Sequence, residues 1–97
     1  MVTAIEMRAL RLNLQLSEKK SKEIIQKKKN ASKILTRMNS KDVYELEYIL
    51  DKISEDVFYG KLELDSFPPK KIIKALKRLG FKVDISKEKN EYPCIYW

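Results

Sequence analysis

Between Ser17 and Lys33 the chain reads SEKKSKEIIQKKKNASK, with seven lysines in seventeen residues. Ammonium groups at that density suit one kind of chemistry, the neutralisation of a polyanion. Each contact with a phosphate releases a condensed counterion, which drives binding and makes it salt-dependent. Lys19, Lys20, Lys22, Lys27, Lys28, Lys29, Lys33 and the following Arg37 are therefore candidate nucleic-acid or anion-binding residues. The plainer reading is a solvated helix face, or pairing with the acidic segment that follows. Exposed pairs of that sort contribute only about 0–1 kcal/mol each. No aromatic residue lies within residues 1–38, so base stacking is not expected there. The stretch also matches no helix-turn-helix, zinc-finger or basic-zipper pattern, so sequence-specific readout is not expected either.

A second basic cluster comprises Lys70, Lys71, Lys74, Lys77 and Arg78. On a helix, Lys70, Lys74, Lys77 and Arg78 share the outer face. Tyr92, Tyr96 and Trp97 follow in sequence and are candidate aromatic contacts. Cations beside ring faces could hold a nucleotide or a single strand. The plainer reading is ordinary amphipathicity, with Ile95 and Trp97 on the core side of a strand.

The remaining chemistry is excluded more than it is suggested. Glu47, Asp51 and Glu55 recur at helical spacing. A carboxylate metal centre would want histidine or a second carboxylate helix beside them, and the chain has no histidine. No metal site and no cofactor are expected. Cys94 is the single cysteine, without an imidazole to activate it, in an apolar strand where a thiol usually packs. Two glycines cannot build a phosphate-cradling loop. No catalytic residue is assigned, and the chain reads as a non-enzyme.

Composition agrees with a small binding protein. The 97 residues carry a net charge of +7 and are 43% hydrophobic and 36% charged, the balance of one folded domain with a modest core. A basic chain favours anionic partners. Against that, arginine occurs only at Arg8, Arg11, Arg37 and Arg78, and arginine is the residue preferred for bidentate phosphate contacts. A lone cysteine fits a reducing cytoplasm. No apolar run approaches the roughly 20 residues that span a membrane.

The elements that must position these residues follow from periodicity. Thr3 and Glu6 have the spacing of a capping box, and Ile5, Ala9, Leu12 and Leu16 then share a helical face. Leu10, Leu12, Leu14 and Leu16 also alternate as in a strand; leucine and the cap favour helix. Ile24, Ala31 and Met38, with Leu35, form a thin stripe over residues 18–37. The first 38 residues are thus one long helix, or two with a break near Leu16–Ser17. Asn39-Ser40 caps a further helix carrying Val43, Leu46, Leu50, Ile53 and Val57 toward Gly60. Leu62 and Leu64 alternate in a short strand. Pro68 or Pro69 opens a helix with Ile72, Ile73, Ala75, Leu76 and Leu79, ending at Gly80. Phe81, Val83 and Ile85 alternate in a second strand, SKEKNEYP is a polar turn, and CIYW is a last strand. The fold expected is α+β: an N-terminal helix or helical hairpin, then helix, strand, helix and a C-terminal β-hairpin, the strands forming a small three-stranded antiparallel sheet.

Charge divides along the same lines. Residues 1–38 hold ten basic and three acidic side chains, residues 39–65 three and eight, and residues 66–97 eight and three. Within one structural domain, residues 1–38 read as a basic helical arm and residues 39–97 as the compact α+β part. An arm that long, with a stripe of Ile5, Leu12, Leu16, Ile24, Ala31 and Met38, also suits homo-oligomerisation through the N-terminal helix.

The C-terminal third, PPKKIIKALKRLGFKVDIS with YPCIYW, resembles the end of many short bacteriophage proteins. In these, a charged N-terminal helix precedes a helix that ends in Leu-Gly-aromatic and runs into a strand, and an aromatic strand closes the chain. The corresponding residues are Leu79-Gly80-Phe81-Lys82-Val83 and Cys94-Ile95-Tyr96-Trp97, within about 35 residues. The resemblance implies a phage or mobile-element origin and a host-cell cytoplasmic setting; it assigns no functional residue. The leading expectation is a small inhibitor or regulator that docks on a host or viral protein. One alternative is a sequence-nonspecific DNA- or RNA-binding protein. Another is a sponge for a small anionic nucleotide.

Overall fold

The structure is a computed structural model that describes residues 1–85 and 92–97. Its chain order is α1 (Ala4–Leu12), α2 (Glu18–Leu35), α3 (Ser40–Glu55), a 3-10 turn (Val57–Tyr59), β1 (Lys61–Glu63), α4 (Lys70–Arg78), β2 (Lys82–Asp84) and β3 (Cys94–Tyr96). The fold is α+β, as the periodicities indicate. Four helices pack on a three-stranded antiparallel sheet of order β1-β3-β2. Ser86 to Glu91 of the expected polar turn lie outside the described residues.

The N-terminal capping box forms as its spacing requires. The Thr3 hydroxyl accepts from the Glu6 amide at 3.3 Å, and the Glu6 carboxylate accepts from the Thr3 amide at 3.1 Å. The Ala4 amide donates to the Leu79 carbonyl at 3.0 Å, which ties the start of α1 to the end of α4. The buried positions of α1 are Ala4 and Met7. Ile5 and Ala9 are half-buried, while Leu12 and Leu16 stay exposed. The helix stops at Asn13, whose φ of +52° is left-handed. The alternating leucines therefore build no strand: Leu10 and Leu12 lie on α1, and Leu14 and Leu16 on the connection.

Ser17 starts a second helix by accepting from the Lys20 amide at 3.2 Å, so the arm is two helices. Ile24, Ala31 and Ile34 are the buried residues of α2, with Leu35 and Met38 packed against the core from its end. Asn39 caps α3 through the Asp42 amide at 2.8 Å. That helix ends at Glu55, a turn before Gly60, and the 3-10 turn carries Val57 into the core. Pro69 precedes α4, and Ile72, Ala75, Leu76 and Leu79 are fully enclosed. At the far end the Gly80 amide donates to Lys77 and the Phe81 amide to Leu76, each at 3.0 Å. This paired closure needs a left-handed residue, and Gly80 supplies it with φ +94°.

In the sheet, Ile95 of β3 lies in register with Leu62 of β1 and Val83 of β2. These three face the helices, where Ile95 is completely buried. The alternate residues form two rows on the other face: Lys61, Tyr96 and Lys82, and Glu63, Cys94 and Asp84. One core joins Ala4, Met7, Ala31 and Ile34 of the first 38 residues to Leu46, Ile53, Leu76, Ile95 and Trp97. No described helix is long and apolar enough to cross a membrane.

Candidate nucleic-acid interface

The two basic clusters lie some forty residues apart in sequence, and the fold sets them side by side. α2 and α4 are packed neighbours, and their hydrogen bonds show an antiparallel arrangement. Lys71 Nζ, at the start of α4, donates to the Arg37 carbonyl at 3.1 Å. Arg78 Nη1, at the end of α4, donates to the Asn30 carbonyl at 3.0 Å. Beyond α4, the stem of Lys27 lies against Gly80. The seam is therefore sealed by Lys71 and by two of the candidate cations, Lys27 and Arg78, whose heads or stems are spent on protein.

The remaining cations separate by helix face. Lys29, Lys33 and Arg37 recur every four residues on α2 and just past it, all exposed. That spacing stacks them in one row, about 6 Å apart along the axis. Lys70, Lys74 and Lys77 recur on the outer face of α4, also exposed. Lys19 and Lys22 extend the first row toward the N-terminal end of α2; Lys22 is within 3.7 Å of Glu18, with both side chains in solvent. Packed helices lie about 8–10 Å apart, so the two rows stand on adjacent helices and concentrate positive charge there. Residues 24–41 and 66–83 contain no acidic residue, so nothing on these segments neutralises it. Lys29, Lys33, Lys70, Lys74 and Lys77 make no ion pair with any described residue.

Two members of the lysine run face elsewhere. Lys28 pairs with Glu6 of α1 at 3.2 Å, both partly buried. Lys20 borders a groove with Ile5, Arg8, Leu14 and Leu16. The run is thus divided among the faces of one helix, with Lys28 bracing α1 and only part of the run on the open surface.

The aromatic candidates do not join the basic face. Trp97 is 5% exposed, meets Phe81 edge-on at 6.3 Å, and donates its indole N–H to the Val57 carbonyl at 2.9 Å. It is a core residue. Tyr92 leans on Phe67 at 5.7 Å between ring centroids. Tyr96 stands on the sheet face opposite the helices, between Lys61 and Lys82, with Lys61 Nζ 5.8 Å from its ring centre. Partial burial, then the neighbouring Cys94, raises its hydroxyl above the ordinary tyrosine value. The sheet separates Tyr96 from the lysines of α4.

Among the described residues no group of carboxylates, cysteines and histidines could hold a metal ion. Asp51 and Glu55, like Glu47, are exposed on α3. Two features escaped the sequence reading. Phe58 and Tyr59 are 75% and 82% exposed beside Gly60, with Tyr44 and Tyr48 exposed on α3. The turn residue Gly60 marks where they sit but not that they face outward. Arg11 donates to the Trp97 carbonyl at 2.9 Å, a contact across 86 positions that no local pattern reveals. No family model matches this chain, and neither the curated proteins nor the solved structures give a match.

Proposed function

We propose that this protein is a non-enzymatic binding protein that holds nucleic acid by its phosphate backbone, without reading sequence, on the face formed by α2 and α4. The observation that carries this reading is the placement of two sequence-distant lysine clusters on neighbouring antiparallel helices, in segments 24–41 and 66–83 that hold no acidic residue. A solvated amphipathic helix would have no reason to place its cations against those of its neighbour. Like charges on adjacent helices oppose folding slightly, and a bound polyanion removes that cost. The absence of aromatic side chains from both helices favours contacts to phosphates over contacts to bases. The test is fluorescence anisotropy with labelled DNA and RNA from 50 to 200 mM salt. About six phosphate contacts would weaken binding some thousandfold over that range. Affinity that is absent at 50 mM, or flat with salt, counts against the reading.

A second reading keeps the protein as a phage or mobile-element regulator docking on a host or viral protein. It is supported by the exposed Tyr44, Tyr48, Phe58 and Tyr59, since aromatic anchors dominate protein interfaces. Alanine substitution of Phe58 and Tyr59 would abolish such docking and leave nucleic-acid binding unchanged. The nucleotide-sponge reading loses ground, because the ring of Tyr96 and the lysines of α4 lie on opposite sides of the sheet.

A further inference from the structure

The sheet ends on an open strand, and that strand is complementary to itself. In the pairing of β1 with β3, the Leu64 amide donates to the Pro93 carbonyl at 2.9 Å and the Trp97 amide donates to the Gly60 carbonyl at 3.1 Å. With Leu62 opposite Ile95, the residues bonded to β3 are Gly60, Leu62 and Leu64. Antiparallel pairing alternates, so the amides and carbonyls of Lys61 and Glu63 point away from β3. They meet no backbone group among the described residues. An edge of this kind is a template for another strand.

We infer that β1 pairs with β1 of a second copy, antiparallel about Leu62, joining the two sheets into one. That register sets Lys61 opposite Glu63 of the other copy, and Glu63 opposite its Lys61. Both pairs carry opposite charges on the same sheet face. The unpaired amides and carbonyls of Lys61 and Glu63 then bond to each other across the two-fold axis. On the helix side, the half-buried Leu62 of each copy meets its equivalent. Exposed Tyr48, which borders a groove with Leu62 and Leu64, closes over the pair. Charge complementarity within the sequence Lys-Leu-Glu is what selects a second copy as the occupant. The opposite edge is less suited, because β2 bonds to β3 through Lys82 and Asp84 and turns outward only the backbone of Val83. α3 lies beside β1 and α4 beside β2, so this dimer leaves the basic face free.

The experiment is sedimentation equilibrium on the full chain from about 1 to 500 µM, with charge-swapped variants, each first shown to be folded by circular dichroism. Lys61→Glu or Glu63→Lys sets like charges opposite each other twice per dimer. Each should weaken dimerisation about tenfold or more, and the double swap should restore it. Asp84→Lys on the other edge should leave it unchanged. A carbodiimide crosslink between Lys61 of one copy and Glu63 of an isotope-labelled copy reads the same register in the wild-type chain. Dimerisation with the swap pattern, or with that crosslink where a swapped chain fails to fold, supports the inference. A monomer throughout the range overturns it. So does a dimer that ignores the single swaps, responds to Asp84→Lys or lacks the crosslink; its interface would then lie elsewhere, as on the exposed leucines 10–16.

Discussion

Replacing Trp97 tests whether the indole is a core strut or a surface ring. It is 5% exposed, stacked edge-on against Phe81, and bonded through its N–H to the Val57 carbonyl at 2.9 Å. Trp97→Phe keeps an aromatic ring against Phe81 but leaves that buried carbonyl without its donor. An unsatisfied buried polar group costs about 1–3 kcal/mol, and the lost ring volume adds to it, so a loss of about 2–3 kcal/mol is expected. Trp97→Ala empties the site and should cost about 3–5 kcal/mol. Domains of this size hold about 5–15 kcal/mol in all, so the alanine variant is left near the edge of folding. The assay is urea unfolding followed by circular dichroism, because Trp97 is the only tryptophan. With a slope of about 1–3 kcal/mol per molar urea, the phenylalanine variant should unfold about 0.7–3 M earlier. Its nucleic-acid affinity should match the wild type. A midpoint unchanged within about 0.3 M, together with weakened nucleic-acid binding, would refute the argument and return Trp97 to the binding surface.

Other outcomes follow from single contacts. Thr3→Ala removes one half of the capping box at the fully buried residue that starts α1, and should cost about 1–2 kcal/mol in the same unfolding assay. Lys28→Gln should lower stability slightly and leave the salt dependence of nucleic-acid binding unchanged, since Lys28 is engaged with Glu6. Lys33→Gln should do the reverse, reducing the slope of log affinity against log salt by about 0.9. For Tyr96 the folded state holds its proton more tightly than the unfolded chain. Its contribution to stability is therefore constant below the ordinary tyrosine range and falls as pH rises through it. Ultraviolet titration of wild type minus Tyr96→Phe should give one phenol transition above the ordinary tyrosine value.

Much of the fold was legible from local rules. The caps at Thr3 and Asn39, the left-handed Gly60 and Gly80, and the alternation around Val83 and Ile95 each act within a few residues, whereas the cap at Ser17, which decides between one helix and two, was not read. The leucine alternation from Leu10 to Leu16 misled because a two-residue period has meaning only where neighbouring strands exist, and here Asn13 ends a helix in its middle. The stripe of Ile5, Leu12 and Leu16 was offset because the start of α1 is held by the Leu79 carbonyl, a distant contact. The same holds for the candidate site. Both lysine clusters were visible in the sequence, but their juxtaposition depends on Ala31 and Ile34 joining Ile72, Ala75 and Leu76 in one core. Which cations are spent on protein depends on partners at Glu6, Asn30 and Arg37 that spacing alone does not supply.

The central claim is that α2 and α4 present one anion-binding face. The measurement that tests it most directly is the affinity for one labelled duplex at 100 mM salt, across a set of charge reversals. The set comprises Lys33→Glu with Arg37→Glu on α2, Lys70→Glu with Lys74→Glu on α4, and all four together. On a shared face each pair should weaken binding by about a hundredfold or more and lower the salt slope by at least about 2. The fourfold variant should show no binding. Loss from one helix alone, or affinities that stay at the wild-type value in all three folded variants, would contradict the account.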